Sequence, residues 1–220
     1  MCERFYLTAT PTEIKRQFKL DKAPELMPRY NIAPTQLSPI VISKGKGREI
    51  LVARWGLVPA WSRDLSLGAG MVNAPAETLE AKPAYRVALQ SQRCLVLANG
   101  FYEWQTRGAR KQPYKIAVRN GALIGFAGLW ERWTPETGEA VETFAIITTE
   151  ASRLVREVHD RMPVIIAPAD HQRWLTASVD AVKRLLVPYT TGLTIVPVGD
   201  RVNSIKNDDV SVLQQPATDL

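Results

Sequence analysis

The sequence predicts an α+β fold in which short antiparallel strands outnumber short helices. Three observations carry this. Apolar or alternating segments of four to eight residues recur along the chain, punctuated by Gly, Pro and Asn. Two pairs of these segments flank hairpin signals, Lys44-Gly45-Lys46-Gly47 and Asn120-Gly121. The regular alternation of strands with long helices that marks a doubly wound sheet is absent.

The elements follow in order. Thr10-Pro11-Thr12-Glu13 is a capping box, with Thr10 as the cap, Pro11 at the first helical position and Glu13 reaching back. Ile14 and Phe18 then share one face of a short helix. Residues 37–43 and 48–54 read as a strand pair around the Lys-Gly loop. Residues 93–98 form an apolar strand that Asn99-Gly100 interrupts before Phe101-Tyr102-Glu103-Trp104. Residues 114–119 and 122–129 flank Asn120-Gly121 as a second hairpin. Residues 143–149 give a further strand and 150–157 a helix, and a short strand follows at 164–167. Residues 169–176 and 179–186 read as helices, and 193–198 as the last strand.

The 220 residues are 45% hydrophobic and 23% charged, enough to bury a core without disulfides or metals. Glycine and proline are spread evenly, so residues 1–220 read as one domain, expected as a monomer. The net charge of +6 fits an anionic partner such as nucleic acid, and equally a basic enzyme. No run of five like charges forms a basic tail. The two cysteines lack zinc spacing and there are two histidines, so no metal or other cofactor is expected. Neither a signal peptide nor a membrane span is legible, which reads as a cytoplasmic protein with reduced thiols and no membrane partner.

Cys2 is the most informative position. Methionine before a small residue is normally trimmed, and Cys2 would then present an amine and a thiol on adjacent carbons, with ordinary pKa values of about 7.7–8.0 and about 8.5. Such a 1,2-aminothiol condenses with an aldehyde to a Schiff base, which the sulfur closes to a thiazolidine. On position alone Cys2 reads first as an incidental terminal residue, since chain ends are usually disordered. Glu103, between aromatics after an apolar strand, suits a desolvated general acid–base, or an exposed edge glutamate. His159, in His-Asp-Arg-Met-Pro at a junction, is the better placed histidine for proton transfer, whereas His171 reads as an exposed helix residue. Asn73 is a turn residue or an amide that holds an amine. Six tryptophans interleave with arginines: Trp61 sits in a loop context suited to base stacking, and Trp55, Trp130 and Trp174 suit core packing.

Nine blocks, in order, carry a resemblance. They are Met1-Cys2-x-Arg4-Phe5, Arg29-Tyr30-Asn31-Ile32-Ala33-Pro34-Thr35-Gln36, Arg54-Trp55-Gly56-Leu57-Val58-Pro59, Asn73-Ala74-x-Ala76-Glu77-Thr78, Lys82-Pro83-Ala84-Tyr85-Arg86, Arg93-Cys94-Leu95-Val96, Gly100-Phe101-Tyr102-Glu103-Trp104, His159-Asp160-Arg161-Met162-Pro163 and Val202-Asn203-x-x-x-Asn207-Asp208. Together they resemble the SOS response-associated peptidase family, the abasic-site processing proteins. The resemblance implies a strongly bent, partly barrel-like antiparallel sheet with flanking short helices. It implies covalent capture of abasic sites in single-stranded DNA by Cys2 through a thiazolidine, after autoproteolytic removal of Met1, with lyase activity as a further expectation. Asn73 would position the α-amine, Glu103 assist Schiff-base formation and Met1 release, and His159 assist sugar-ring opening. Arg4, Asn31, Trp61, Arg86, Trp104 and Arg161 would contact DNA.

The chain departs from the family pattern at Glu3, Pro75 and Asn99, where glycine, a DNA-contacting arginine and aspartate are usual. Glu3 and Pro75 bear on DNA affinity more than on chemistry. Two other readings stay open: a thiol peptidase acting on proteins through Cys2 and His159, and a nucleic-acid-binding module without catalysis. The free Cys2 amine separates them, because only capture of an aldehyde requires it.

Overall fold

In chain order the elements are β1 (Phe5–Leu7), α1 (Pro11–Phe18), β2 (Arg29–Ile32), β3 (Leu37–Lys44), β4 (Gly47–Trp55), β5 (Asn73–Pro75), α2 (Pro83–Ser91) and β6 (Arg93–Ala98). They continue with β7 (Gly100–Arg107), β8 (Arg110–Val118), β9 (Ile124–Trp133), β10 (Val141–Glu150), β11 (Arg161–Pro163), β12 (Ile165–Ile166), α3 (His171–Thr176), α4 (Val179–Lys183) and β13 (Leu193–Pro197). This is a computed structural model, and it describes residues 2–216. Among them no helix is long and apolar enough to cross a membrane.

Two sheets share the work. In the larger one, β4, β3, β6 and β9 are neighbours in that order, and β10 pairs with both β9 and β4, so these strands close into a ring. β5 and β11 extend β10, and β12 joins β9. The smaller sheet runs β13-β8-β7-β1-β2. Mixed α+β structure with a strongly curved, mostly antiparallel sheet is therefore as predicted. The parallel pairings of β10 with β4 and β5 are an addition.

Local signals held where a few residues suffice. The Thr10 side chain accepts from Glu13 N at 3.3 Å, and Glu13 accepts from Thr10 N at 2.8 Å. Ile14 and Phe18 are buried below this cap, which is worth about 1 kcal/mol. The Asn99-Gly100 break has a steric cause. A Cβ on Gly100 would meet Ile116 O at 2.5 Å and the Tyr6 ring at 2.7 Å, so only glycine lets β7 begin there. The side-chain oxygen of Asn99 accepts from Thr8 N at 2.7 Å and Ala9 N at 3.1 Å. An aspartate would supply the same acceptor, so this departure from the family pattern is silent.

Three expectations are corrected. Asn120-Gly121 makes a turn, but not a hairpin: β8 pairs with β7 and β13, whereas β9 pairs with β6, β10 and β12. β9 is almost continuously buried and takes a central place in the ring, so burial rather than turn chemistry chose its partners. The helix expected over 150–157 reduces to a 3-10 turn at Val155–Glu157. Ala151 N is already bonded to Asp160 O at 2.8 Å, across the connection from β10 to β11. His171 is buried rather than exposed, stacked on Phe18 at 5.1 Å with its Nε2 3.2 Å from Ile166 O. Trp55 and Trp174 are fully buried, and Trp130 packs partly buried against the same core.

Candidate functional site

The site forms where β1 and β7 leave the core. Alternation along β7 sends successive side chains to opposite faces. Phe101 and Glu103 face the main core, which also holds Cys2 and Phe5. Tyr102 and Trp104 face a smaller cluster with Tyr6, Val198, Val202 and Val212. Tyr102 N bonds to Arg4 O at 2.9 Å, which extends the β1–β7 pairing toward the N-terminus and brings Glu103 beside residues 2 and 3.

Cys2 is fully buried. Asn73, at the start of β5, donates its Nδ2 to Cys2 O at 2.8 Å, and Tyr85 OH donates to Asn73 O at 3.2 Å. Thus α2 braces β5, and β5 holds the backbone of Cys2. Burial and the nearby Glu103 carboxylate push the Cys2 thiol well above its usual range, so it stays protonated. Glu103 is itself pushed up to about 7, first by burial and then by the Glu3 and Asp160 carboxylates. A carboxyl at that value both gives and takes a proton near neutrality.

His159 lies on the connection into β11, half-buried. Its Nδ1 accepts from Arg161 N at 2.9 Å, which leaves the proton of the neutral ring on Nε2. Asp160 Oδ1, 3.0 Å from the same nitrogen, favours the charged ring, but that carboxylate is exposed. Burial, which lowers the imidazole, dominates.

These groups border a pocket of about 360 Å³ lined by Glu3, Arg4, Glu103, Trp104, Lys111, His159 and Asn203. The sequence-predicted residues Arg4, Glu103, Trp104 and His159 thus come together, whereas Cys2 and Asn73 are buried and outside the lining. Arg4 donates to Asn31 Oδ1 at 2.9 Å and to Val202 O at 2.6 Å, and its guanidinium lies 5.7 Å from the centre of the Trp104 ring. Asn31 has no exposed surface; its Nδ2 donates to Val202, Ser204 and Asn207 carbonyls. The amide expected at the DNA is here spent on a clip that holds the C-terminal segment. Asp208 completes the clip by accepting from Arg29, Tyr30 N and Asn31 N, which covers the open edge of β2.

Trp61 and Arg86 are exposed and outside the pocket lining. Trp61 tops a loop fixed by Trp133 Nε1 donating to Ser62 O at 2.7 Å. Arg161 pairs bidentately with Glu77, at 2.7 and 3.0 Å. Lys111 and Asn203 are pocket residues that sequence reasoning missed as such. Asn203 Oδ1 accepts from Trp104 Nε1 at 2.7 Å. Its only sequence signal was its place in the Val202-Asn203 block. Lys111 reaches the pocket because β7 and β8 pair Thr106 with Lys111, and Gly108 in the intervening turn was the signal available. No cluster of metal-ligating residues occurs among the described residues.

An α+β protein with an amide, a titrating carboxyl and an imidazole gathered around its buried second residue is organised around its own N-terminal segment. The chain belongs to the SOS response associated peptidase (SRAP) family, which it matches over residues 1–205. It is 39% identical to the abasic site processing protein YoaM of Bacillus subtilis, over 97% of each chain. It is 32% identical to the abasic site processing protein HMCES of Gallus gallus, over 82% of this chain and 64% of that one. A crystal structure of a protein from Bacteroides thetaiotaomicron superposes with a TM-score of 0.88 at 28% identity, covering 97% of this chain and 99% of the other.

Proposed function

We propose that this protein captures abasic sites in single-stranded DNA covalently, through a thiazolidine on Cys2 formed after Met1 is removed. Met1 lies outside the described residues. Family membership and the names of the relatives support action on abasic DNA. The observation that carries the chemistry is Cys2 itself: buried, its carbonyl held by Asn73 at 2.8 Å, with Glu103 at a raised pKa beside it and an open pocket in front.

In this reading Glu103, protonated part of the time near neutrality, relays protons as the Cys2 amine adds to the sugar aldehyde and water leaves. His159 across the pocket assists opening of the sugar ring. The buried thiol then adds to the imine carbon and passes its proton to the nitrogen, closing the five-membered ring. The same Glu103 and Asn73 serve the earlier cleavage of the Met1–Cys2 bond. A thiol peptidase would instead need Cys2 as a thiolate, which pairing with a charged imidazole would stabilise. Burial drives this thiol the other way and lowers His159 as well.

Intact-mass analysis tests the proposal. The purified protein should lack Met1. With a single-stranded oligonucleotide bearing one abasic site it should form a heat-stable adduct with the summed mass less one water. Cys2→Ser should lose that adduct, since an oxygen ring reopens readily. An undiminished heat-stable adduct from Cys2→Ser, or none from the wild type, overturns the reading.

A further inference from the structure

Of the three arginines expected to meet DNA, Arg4 and Arg161 are committed inside the fold, and Arg86 is exposed but lies outside the pocket lining. Arg161 is paired with Glu77, Arg4 is tied to Asn31 and Val202 O with the Glu3 carboxylate acting on its charge, and position 75 is proline. Glu3 adds a carboxylate to the pocket lining. A strand of phosphates needs positive charge from elsewhere.

The β7–β8 hairpin supplies it. Register pairs Arg107 with Arg110 and Thr106 with Lys111, so three cations stand on the two rungs at the tip. All three side chains are exposed, and Lys111 lines the pocket. None forms an ion pair with a described residue. The partners of Arg107 are neutral: it donates to Gln105 Oε1 at 2.6 Å and to Tyr114 OH at 2.7 Å. Its charge is therefore positioned but not cancelled. The base of the hairpin is anchored on both sides of the pocket. Gln105 Nε2 donates to Glu157 O, next to the segment bearing His159, and Trp104 Nε1 donates to Asn203.

We infer that the tip of this hairpin is a phosphate-binding arm, in which Lys111, Arg110 and Arg107 follow a single nucleic-acid strand as it leaves the pocket past Trp104. An aromatic ring at the pocket with a row of uncompensated cations beyond it is the arrangement that binds single strands without reading sequence. An acidic peptide would meet the same charges but gain nothing from a stacking surface. The inference rests on the proposed reading that single-stranded DNA occupies the pocket, and it names the part of the chain that holds the backbone.

The test uses undamaged single-stranded DNA, so it does not depend on the covalent step. Binding is measured between about 50 and 200 mM salt for the wild type, Lys111→Gln and the triple variant Arg107→Gln, Arg110→Gln, Lys111→Gln. Each lost phosphate contact should flatten the log K against log salt slope by about 0.7. Over that range the wild type should lose roughly 20-fold more affinity than the triple variant. Lys46→Gln, a turn cation in the larger sheet, controls for net charge. Lys111→Gln alone, at an exposed position, guards against misfolding of the triple variant. An unchanged slope in both hairpin variants, or an equal flattening by Lys46→Gln, overturns the arm. If the wild type forms no abasic adduct while the hairpin variants still flatten the slope, the capture chemistry falls and the arm stands.

Discussion

Glu103 and His171 make an instructive pair. Both are buried ionisable side chains, and burial moves each against its charged form: the carboxyl up to about 7, the imidazole down to about 4. Around Glu103 stand Cys2, with its carbonyl held by Asn73, and a pocket of about 360 Å³. Around His171 stand the parallel ring of Phe18 and the Ile166 carbonyl, and the same pocket is not lined by it. Both corners therefore perturb a pKa, but only one combines the perturbed group with a nucleophile and open volume. Burial alone marks a packed residue; burial beside a reactive neighbour and a void marks chemistry.

The largest expected effect sharpens this contrast directly. Glu103→Gln should slow adduct formation by about 10²–10⁴-fold, the range of a lost general acid–base. It should also remove an inflection near pH 7 from the rate profile. His171→Asn should leave the rate per folded molecule unchanged. Single-turnover gel assays across pH measure both, and an equal loss in the two variants would break the comparison. Asn73→Ala should come next. It strips the donor from the buried Cys2 carbonyl, a penalty of about 1–3 kcal/mol, or roughly 5- to 150-fold in rate if it falls wholly on the reactive geometry. Normal kinetics in that variant would show that the amide serves stability alone.

The two corners should also oppose each other in pH-dependent stability. Glu103 has a folded pKa raised from 4.5, so its contribution is fully present below 4.5 and lost as pH rises through about 7. His171 has a folded pKa depressed from 6.5, so its contribution is fully present above 6.5 and lost as pH falls toward about 4. Relative to wild type, Glu103→Gln should make stability climb more steeply between pH 4.5 and 6.5, and His171→Asn less steeply. Each difference should approach about 1.4 kcal/mol per pH unit. Denaturant titrations at several pH values measure this, and slopes that shift in the same direction would refute the assignment.

Smaller effects concern the pocket rim. Asn203→Ala should free the Trp104 indole N–H from its 2.7 Å acceptor and weaken binding of abasic DNA about five-fold, one hydrogen bond's worth. Asn203→Asp keeps the acceptor but adds a carboxylate to the pocket lining, so it should regain only about half of the loss at moderate salt and more at high salt, where the repulsion is screened; no recovery at high salt would argue that the asparagine amide meets DNA itself. Glu3→Gln, which removes a carboxylate from the pocket lining, should tighten binding by only two- to three-fold at moderate salt. Pro75→Arg should do about the same if position 75 faces the strand. A salt titration that leaves either one unchanged removes that position from the DNA face.

Much of this site was legible because its signals are chemical or short-range. A cysteine at position 2 is a property of one residue at one position. The Thr10–Glu13 box and the Asn99-Gly100 break act over a few bonds, and the strand read at 93–98 has the bounds of β6. Lys111 and Asn203 were missed because what makes them pocket residues is distant: a cross-strand register for one, and for the other a C-terminal segment clipped onto β2. The resemblance offered Asn31 as a DNA contact, and nothing in Arg-Tyr-Asn-Ile said that its amide would be spent on three backbone carbonyls more than 170 residues away.

By itself, then, the sequence determined which groups were available and how the chain behaves over a turn or a strand: a nucleophile at position 2, a carboxylate between aromatics, caps and breaks where side chains or missing side chains demand them. Only the tertiary structure decided which elements became partners. It sent β9 to the ring and β8 to the smaller sheet despite the Asn-Gly turn between them, buried His171 away from the pocket, and paired Arg161 with Glu77. The physical reason is that turn and cap energies are local and worth about 1 kcal/mol each, whereas pairing and burial depend on apolar area contributed by segments far apart in the chain.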